Sequence, residues 1–467
     1  MRSVVSADSP EIDLAPPLRA WVEAVAGAPV VRAERHFAGA SRHAWSLDVG
    51  AGEQARAVFL LCDKADGNGS ARDAAVLRAL ADTPVPVPEV VAFDQEQSAL
   101  LLERIPGRSD FPGVDRESER EPTARHLMEL TGKLHALDVK SLEIPHLTLP
   151  RRPEDCARTS LVQARAAQRT LGSAADPFFG FALDWLEDHV PKDVSRYSLV
   201  HSDMGPGNFL FEAGRVTGIV DWEVAHYGDP MEDLAAIAVR DMVTPVGHLP
   251  TRFQEYFEST GCAVDLARVH YYRALVLVRN SLMIGLGLAH PPLGFDVVEM
   301  TMYQTLLIRA AALVLCDNLA IDRPSSGASL PRTDMEVPLE ELRGPFLATL
   351  RRDLVQSVAP GLDEPEAARG CARVERGLEF LEHEHRVGAD LDRRENEDLA
   401  ALLGRGDRSH PESERALRAV IAEAGFRELD RVPVALYFAR RFHRLAERRR
   451  PLMGALLDRL PQALENQ

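Results

Sequence analysis

The chain has 467 residues, 45% of them hydrophobic, and a formal net charge of −17. That length exceeds one core and predicts two or three domains; the acidity argues against nucleic acid as a partner and is compatible with a cationic small molecule. No apolar run approaches the roughly 20 residues of a membrane span, no signal peptide is read at the N-terminus, and five scattered cysteines without a C-x-x-C pair fit a reducing, cytoplasmic setting.

Residues 18–26 are patterned as a short helix and 30–36 as a strand. A turn-like break at 37–42 (Phe-Ala-Gly-Ala-Ser-Arg) precedes strands at 44–49 and 56–62. Residues 70–81 place Ala74, Leu77, Leu80 and Ala81 on one helical face. Pro84, Pro86 and Pro88 then force an extended connection to strands at 90–93 and 99–104. From Thr123 the periodicity turns helical, with Leu127, Leu130, Leu134 and Leu137 in register; His135 on this stretch reads as packing or surface. A second amphipathic helix at 178–189 precedes a strand at 198–201.

Residues 201–234 read HSDMGPGNFLFEAGRVTGIVDWEVAHYGDPMEDL. Two short apolar runs, 209–211 and 216–220, are joined by the turn signal Glu-Ala-Gly-Arg, which predicts a hairpin with Asn208 at its entry and Asp221 at its exit. Phosphoryl transfer from a nucleotide needs a group to orient the attacking hydroxyl and oxygen ligands for magnesium between the phosphates. Asp203, five residues before Asn208, has the spacing of a kinase catalytic base; Asn208 and Asp221 are the expected Mg2+ ligands. Taken singly, each residue is better read as structural: Asp203 capping a turn, Asn208 starting the hairpin and Asp221 solvating its end. Together at these intervals they predict a small-molecule kinase using ATP or GTP on a hydroxyl acceptor.

The stretch resembles the aminoglycoside phosphotransferase family, whose Gly-Asp-Pro-x-x-Asp-Leu segment is matched by Gly228, Asp229, Pro230, Asp233 and Leu234. The resemblance covers roughly residues 20–320 and implies an α+β, bilobal protein-kinase-like fold. Residues 1–106 would form the β-rich N-lobe and 107–321 a helical C-lobe bearing the catalytic loop. By the same likeness Asp233 would buttress that loop by accepting backbone N–H bonds. Glu103 and Ile105 would sit in the hinge that binds a purine edge, and Ser41 in the loop covering the phosphates. Acidic residues such as Glu223, Asp229 and Asp241 would either face the acceptor or be solvated or capping. The family's third strand carries a cation paired to an acidic residue of the following helix, the latter being Asp73 here. By register that cation should stand near Leu61 or Cys62; Lys64, one pleat further on and the only lysine before Lys133, takes its place, unless it is an exposed loop cation and Arg72 substitutes. The departure leaves a degenerate kinase, binding without turnover, as the alternative.

Residues 264–286 and 297–320 are long apolar helices, and 322–334 a polar Pro/Gly/Ser linker. Residues 335–467 are patterned only as helices, at 339–358, 366–385, 396–403, 412–425 and 434–460, which predicts a separate all-α bundle. It resembles a small helical domain of unassigned role that accompanies some bacterial phosphotransferases; docking on the lobes or forming a homodimer are the jobs open to it. Glu382-His383-Glu384-His385 reads as solvated surface, because adjacent helical residues diverge.

Overall fold

The computed structural model of the chain describes residues 14–36, 42–52, 55–64, 69–111, 116–291, 295–325, 343–362, 365–404, 410–428 and 430–464. In chain order it runs α1 (Pro16–Ala26), β1 (Val30–His36), β2 (Arg42–Val49), β3 (Arg56–Asp63), α2 (Gly69–Leu80), β4 (Val90–Asp94), β5 (Ala99–Glu103) and α3 (Glu117–Ala136). Then follow α4 (Asp155–Leu171), α5 (Phe178–Asp188), β6 (Ser198–Val200), β7 (Phe209–Glu212), β8 (Arg215–Ile219), β9 (His226–Gly228), α6 (Met231–Arg240) and α7 (Leu249–Thr260). The remaining α-helices are α8 (Leu266–Ala289), α9 (Val297–Asn318), α10 (Arg343–Asp353), α11 (Pro365–Leu403), α12 (His410–Glu428), α13 (Arg431–Arg448) and α14 (Arg450–Met453). The chain forms two compact units, residues 1–151 with 194–264 and residues 152–193 with 265–467.

In the first unit an antiparallel sheet has the order β1-β2-β3-β5-β4. Alternation sends Trp45, Leu47 and Val49 of β2, Val58 and Leu60 of β3, and Ala99 and Leu101 of β5 to one face, where they form a core with Leu14 and Val22 beside and within α1. The opposite row on β2 and β3 is Arg42, Ala44 and Ser46 against Asp63, Leu61 and Phe59. Helix α2 packs on β3, β4 and β5. It buries Asp73 together with Ala74, Val76, Leu77 and Leu80. Below the sheet, β7 and β8 pair as the predicted hairpin and a short ladder β6-β9 leads into α6. The chain around the Glu103–Ile105 connection is fixed to this hairpin: Thr217 Oγ1 donates to Pro106 O at 2.6 Å, Ile219 N–H donates to Pro86 O at 2.8 Å, and Arg108 and Phe211 exchange main-chain bonds at 3.1 and 3.0 Å. Gly218 lets the hinge come this close, since a Cβ there would lie 2.1 Å from Ile105 Cδ1.

The boundary expected at 322–334 does not divide the molecule: residues beyond it share a unit with α4, α5, α8 and α9. Burial explains the difference. The apolar stripe of α13, with Val434, Tyr437, Phe438, Phe442 and Ala446, needs a partner surface. It finds one on α5, where the Phe178 ring lies 5.3 Å from Phe438 and 5.1 Å from Phe442. Cationic side chains of the preceding helices close the same core. Arg309 of α9 donates to Leu457 O at 2.6 Å and Arg459 O at 2.8 Å, and Arg273 of α8 to Gln462 O at 3.0 Å. Helices α8 and α9 are each long and apolar enough to cross a membrane by length and composition, with 61% and 56% of their apolar windows buried in the fold. Helix α11 is one 39-residue element where two were expected. His383, expected on the surface, is buried and its Nε2 lies 3.0 Å from Glu447 O. Glu384 pairs with Arg448 at 2.8 Å. Among the described residues no group of three or more metal-ligating side chains gathers there or elsewhere.

Candidate active site

The loop between β6 and β7 is held from beneath by one buried carboxylate. Asp233, in the first turn of α6, accepts the N–H groups of His201 at 3.0 Å and Ser202 at 2.7 Å. His135 of α3 stands at 3.0 Å from the same carboxylate and is set by the Tyr256 hydroxyl at 3.0 Å. Burial pushes Asp233 up, but the His135 bond and charge, with the His201 ring and main-chain N–H, hold it below the usual carboxylate range. The buttress expected of Asp233 is therefore present, and His135 is a buried part of it. Ser202 needs that support, because its φ of +68° is left-handed backbone. Its hydroxyl donates to Glu232 at 2.7 Å. His201 Nε2 lies 3.0 Å from Val220 O while its Nδ1 accepts the Asp203 N–H at 3.3 Å, a pairing that fits the neutral ring with its proton on Nε2.

Above this base the predicted triad converges. Asn208 spends its amide nitrogen on Asp203, donating to the main-chain oxygen at 2.8 Å and to Oδ2 at 2.9 Å. Its side-chain oxygen is thereby turned away as an acceptor. Val220 N–H donates to Asn208 O at 3.0 Å, which closes the hairpin and brings Asp221 to the same mouth. Asp221 sits at φ +71° with its side chain 36% exposed. An amide oxygen and a carboxylate with an open side form the hard-oxygen donor set that magnesium takes with nucleotide phosphates, so the residues present fit the metal.

Two arginines that the motif spacing does not reveal complete the site. Arg240, at the last position of α6, donates Nε to Asp203 Oδ1 at 2.9 Å, Nη2 to Oδ2, and Nη1 to Pro206 O at 2.7 Å. Enclosure pushes Asp203 up, but the Arg240 guanidinium outweighs it and holds the carboxyl below its ordinary value. The sequence did carry a signal: Arg240 follows Asp233 by seven residues, two helical turns, and so faces the same loop. Arg42, at the start of β2, donates to Asp73 and to Asp221 and lies 3.4 Å from Glu223. Burial opposes its charge, yet the three carboxylates raise its pKa. The partner of Asp73 is thus Arg42 and not the expected Lys64, which lies past the end of β3 and is exposed.

The other expected residues fall as follows. Glu103 gives its N–H to Glu89 O at 2.9 Å, so that donor is committed to the sheet. The Ile105 main chain makes no hydrogen bond among the described residues. Ser41 lies outside the described residues. Asp229 caps α6 by accepting Met231 N–H at 3.0 Å, and Asp241 accepts Val246 N–H at 2.9 Å, so both are structural.

The chain belongs to the phosphotransferase enzyme family, whose model matches residues 35–272. Acyl-CoA dehydrogenase family member 10 of Mus musculus is 28% identical over 180 residues, covering 35% of this chain and 16% of that protein. Viomycin phosphotransferase of Streptomyces vinaceus is 30% identical over 182 residues, covering 35% of this chain and 59% of that one. A solved macrolide 2'-phosphotransferase from Brachybacterium faecium is 19% identical with a TM-score of 0.44, over 60% of this chain and 95% of that one. The match therefore spans 16% to 59% of the length of these two curated relatives, less than two thirds of either.

Proposed function

We propose that this member of the phosphotransferase family is a small-molecule kinase that moves the γ-phosphoryl group of ATP or GTP to a hydroxyl. The observation that carries the reading is Asn208. Its amide nitrogen is fixed on Asp203 while its oxygen is left for a cation beside Asp221. Asn208 and Asp221 would hold magnesium, which supplies charge neutralisation between the phosphates when bound. The Ile105 main chain would take the purine edge.

Asp203 orients the acceptor hydroxyl. Its pKa is held low by Arg240, so it is a weak base in the ground state. In a loose transfer the hydroxyl proton is lost late, and a carboxylate that positions the oxygen serves. Arg240 keeps that carboxylate ionised and aimed. The alternative of a kinase fold without turnover drew on the missing third-strand cation; Arg42 beside Asp73 supplies a cation there and weakens it.

For the acceptor, a similarity to an acyl-CoA dehydrogenase family member favours a hydroxyacyl thioester, and one to viomycin phosphotransferase keeps an amino-sugar-like alcohol in play. Of these the thioester is tested first. Phosphate transfer from ATP and GTP is followed across hydroxyacyl thioesters, amino sugars and simple alcohols with the full chain. Turnover of any alcohol supports a kinase, and its absence with every acceptor despite magnesium-dependent nucleotide binding would favour the non-catalytic alternative.

A further inference from the structure

The face of β3 that continues the Arg42 row carries Phe59, Leu61 and Asp63, with no cation among them. One guanidinium does stand on that face, and it comes from the neighbouring strand. Arg42 pairs across the ladder with Asp63, in the same row as Ala44 opposite Leu61. Its side chain is 7% exposed and meets carboxylates from three places: Asp73 on α2, Asp221 after the hairpin, and Glu223.

We propose that Arg42 is the nucleotide-phosphate cation of this chain, supplied by β2 in place of β3 and anchored by Asp73. The assignment rests on the kinase reading. The three carboxylates are not equivalent partners. Asp73 is 1% exposed and holds Arg42 at a buried position, where burial pushes the carboxyl's pKa up and the Arg42 guanidinium opposes that rise. Asp221 and Glu223 are 36% and 25% exposed and can exchange the guanidinium for other ligands. The Nη1 edge is thus fixed to α2, and the Nη2 edge, on Asp221, is the part free to turn to phosphate oxygens. A planar guanidinium suits this double duty, because its fork serves one carboxylate and one phosphate at once, which a lysine ammonium does less specifically. Charge supports the same use. Three carboxylates around one guanidinium leave an excess of negative charge that draws a divalent cation to Asp221, and with it the phosphates that Arg42 then meets.

The test compares binding of a non-hydrolysable ATP analogue with magnesium and of adenosine, by titration calorimetry on the full chain. Arg42→Gln is expected to weaken the analogue at least about tenfold while adenosine changes less than about twofold. That contrast separates phosphate contact from a structural role. Recovery of analogue affinity in Arg42→Gln/Leu61→Lys, which puts a cation back on β3, supports the assignment. Unchanged analogue affinity in a folded Arg42→Gln overturns it. So does a parallel loss for both ligands, or a loss that follows Lys64→Gln instead. If Arg42→Gln does not fold, Arg42→Lys takes its place: a loss confined to the analogue supports the proposal and equal affinity overturns it. A wild-type chain that binds neither ligand sinks the kinase reading and this assignment with it; wild-type binding with an indifferent Arg42 sinks the assignment alone.

Discussion

Arg240 grips both carboxylate oxygens of Asp203, with Nε on one oxygen at 2.9 Å and Nη2 on the other. The same guanidinium crosses the loop to Pro206 O at 2.7 Å. Gly205 and Gly207 permit this passage: both have positive φ, and a Cβ at Gly205 would lie 2.9 Å from the Arg240 side chain. Arg240 therefore fixes where Asp203 points as well as its charge.

A pH dependence follows from that pair. The folded pKa of Asp203 is depressed, so the carboxylate is the form Arg240 stabilises. The pair's contribution to stability is full above the unfolded value of about 3.9 and is lost as pH falls through the lower folded value. Since transfer needs the carboxylate, the acid limb of kcat should lie below about pH 4 in the wild type. In Arg240→Gln it should move upward and kcat should fall at least about tenfold, some 1.4 kcal/mol of barrier. A pH–rate profile of both proteins decides it; identical acid limbs would remove Arg240 from the mechanism.

Asp203→Asn keeps the shape and removes the charge. Turnover should drop by more than about tenfold while affinity for ATP with magnesium stays near wild type, because the carboxylate serves the acceptor and not the phosphates. Single-turnover kinetics beside calorimetry separate the two. A variant with a tenth or more of wild-type kcat would mean that the hydroxyl is oriented by another group.

Asp221→Ala should abolish the dependence of nucleotide binding on magnesium. ATP and GTP are titrated with and without the ion in both proteins. Equal affinities for a nucleotide that binds, with and without the ion in both proteins, would show that the hairpin exit is not a metal site.

Asp233→Ala strips the loop of its buttress. Two buried N–H groups and His135 lose their acceptor at a fully buried position. The expected cost is about 3–5 kcal/mol, in the range for removing one partner of a buried charged pair. It should appear in chemical denaturation of the full chain as a lower midpoint. Loss of activity with unchanged stability would instead make Asp233 part of the chemistry.

The site was legible where the chemistry is local. Asp203, Asn208 and Asp221 are tied by one loop and one hairpin, so sequence spacing fixes their geometry. The five strands and α2 were legible for a similar reason, since alternation and helical spacing are local signals. Arg42 was not, because its role depends on the β2–β3 register and on α2 lying over that face, neither of which a single strand encodes. His383 and Tyr437 were hidden for a related reason: a helix stripe shows that something is buried but not against what.

The strongest departure from the sequence reading concerns residues 343–464, and it predicts a different outcome for truncation. A separate bundle at 335–467 would leave a chain ending near Thr333 with a folded kinase and its nucleotide site. In the structure those residues complete the core that α5, α8 and α9 begin. Without them, Phe178 loses two aromatic neighbours, Arg309 loses the carbonyls at its guanidinium, and Arg273 loses Gln462. The buried Arg309 guanidinium stripped of those carbonyls carries a desolvation cost of several kcal/mol, and stripping the rings adds apolar surface to water. Truncation near residue 333 should therefore give an aggregating protein lacking a cooperative melt, whatever the state of the unit formed by residues 1–151 and 194–264. Solubility, calorimetric melting and limited proteolysis of the truncated and full chains check it. A soluble truncated chain whose second unit, residues 152–193 with 265–333, resists protease as well as in the full chain would show that the C-terminal helices are an appendage and not part of that core.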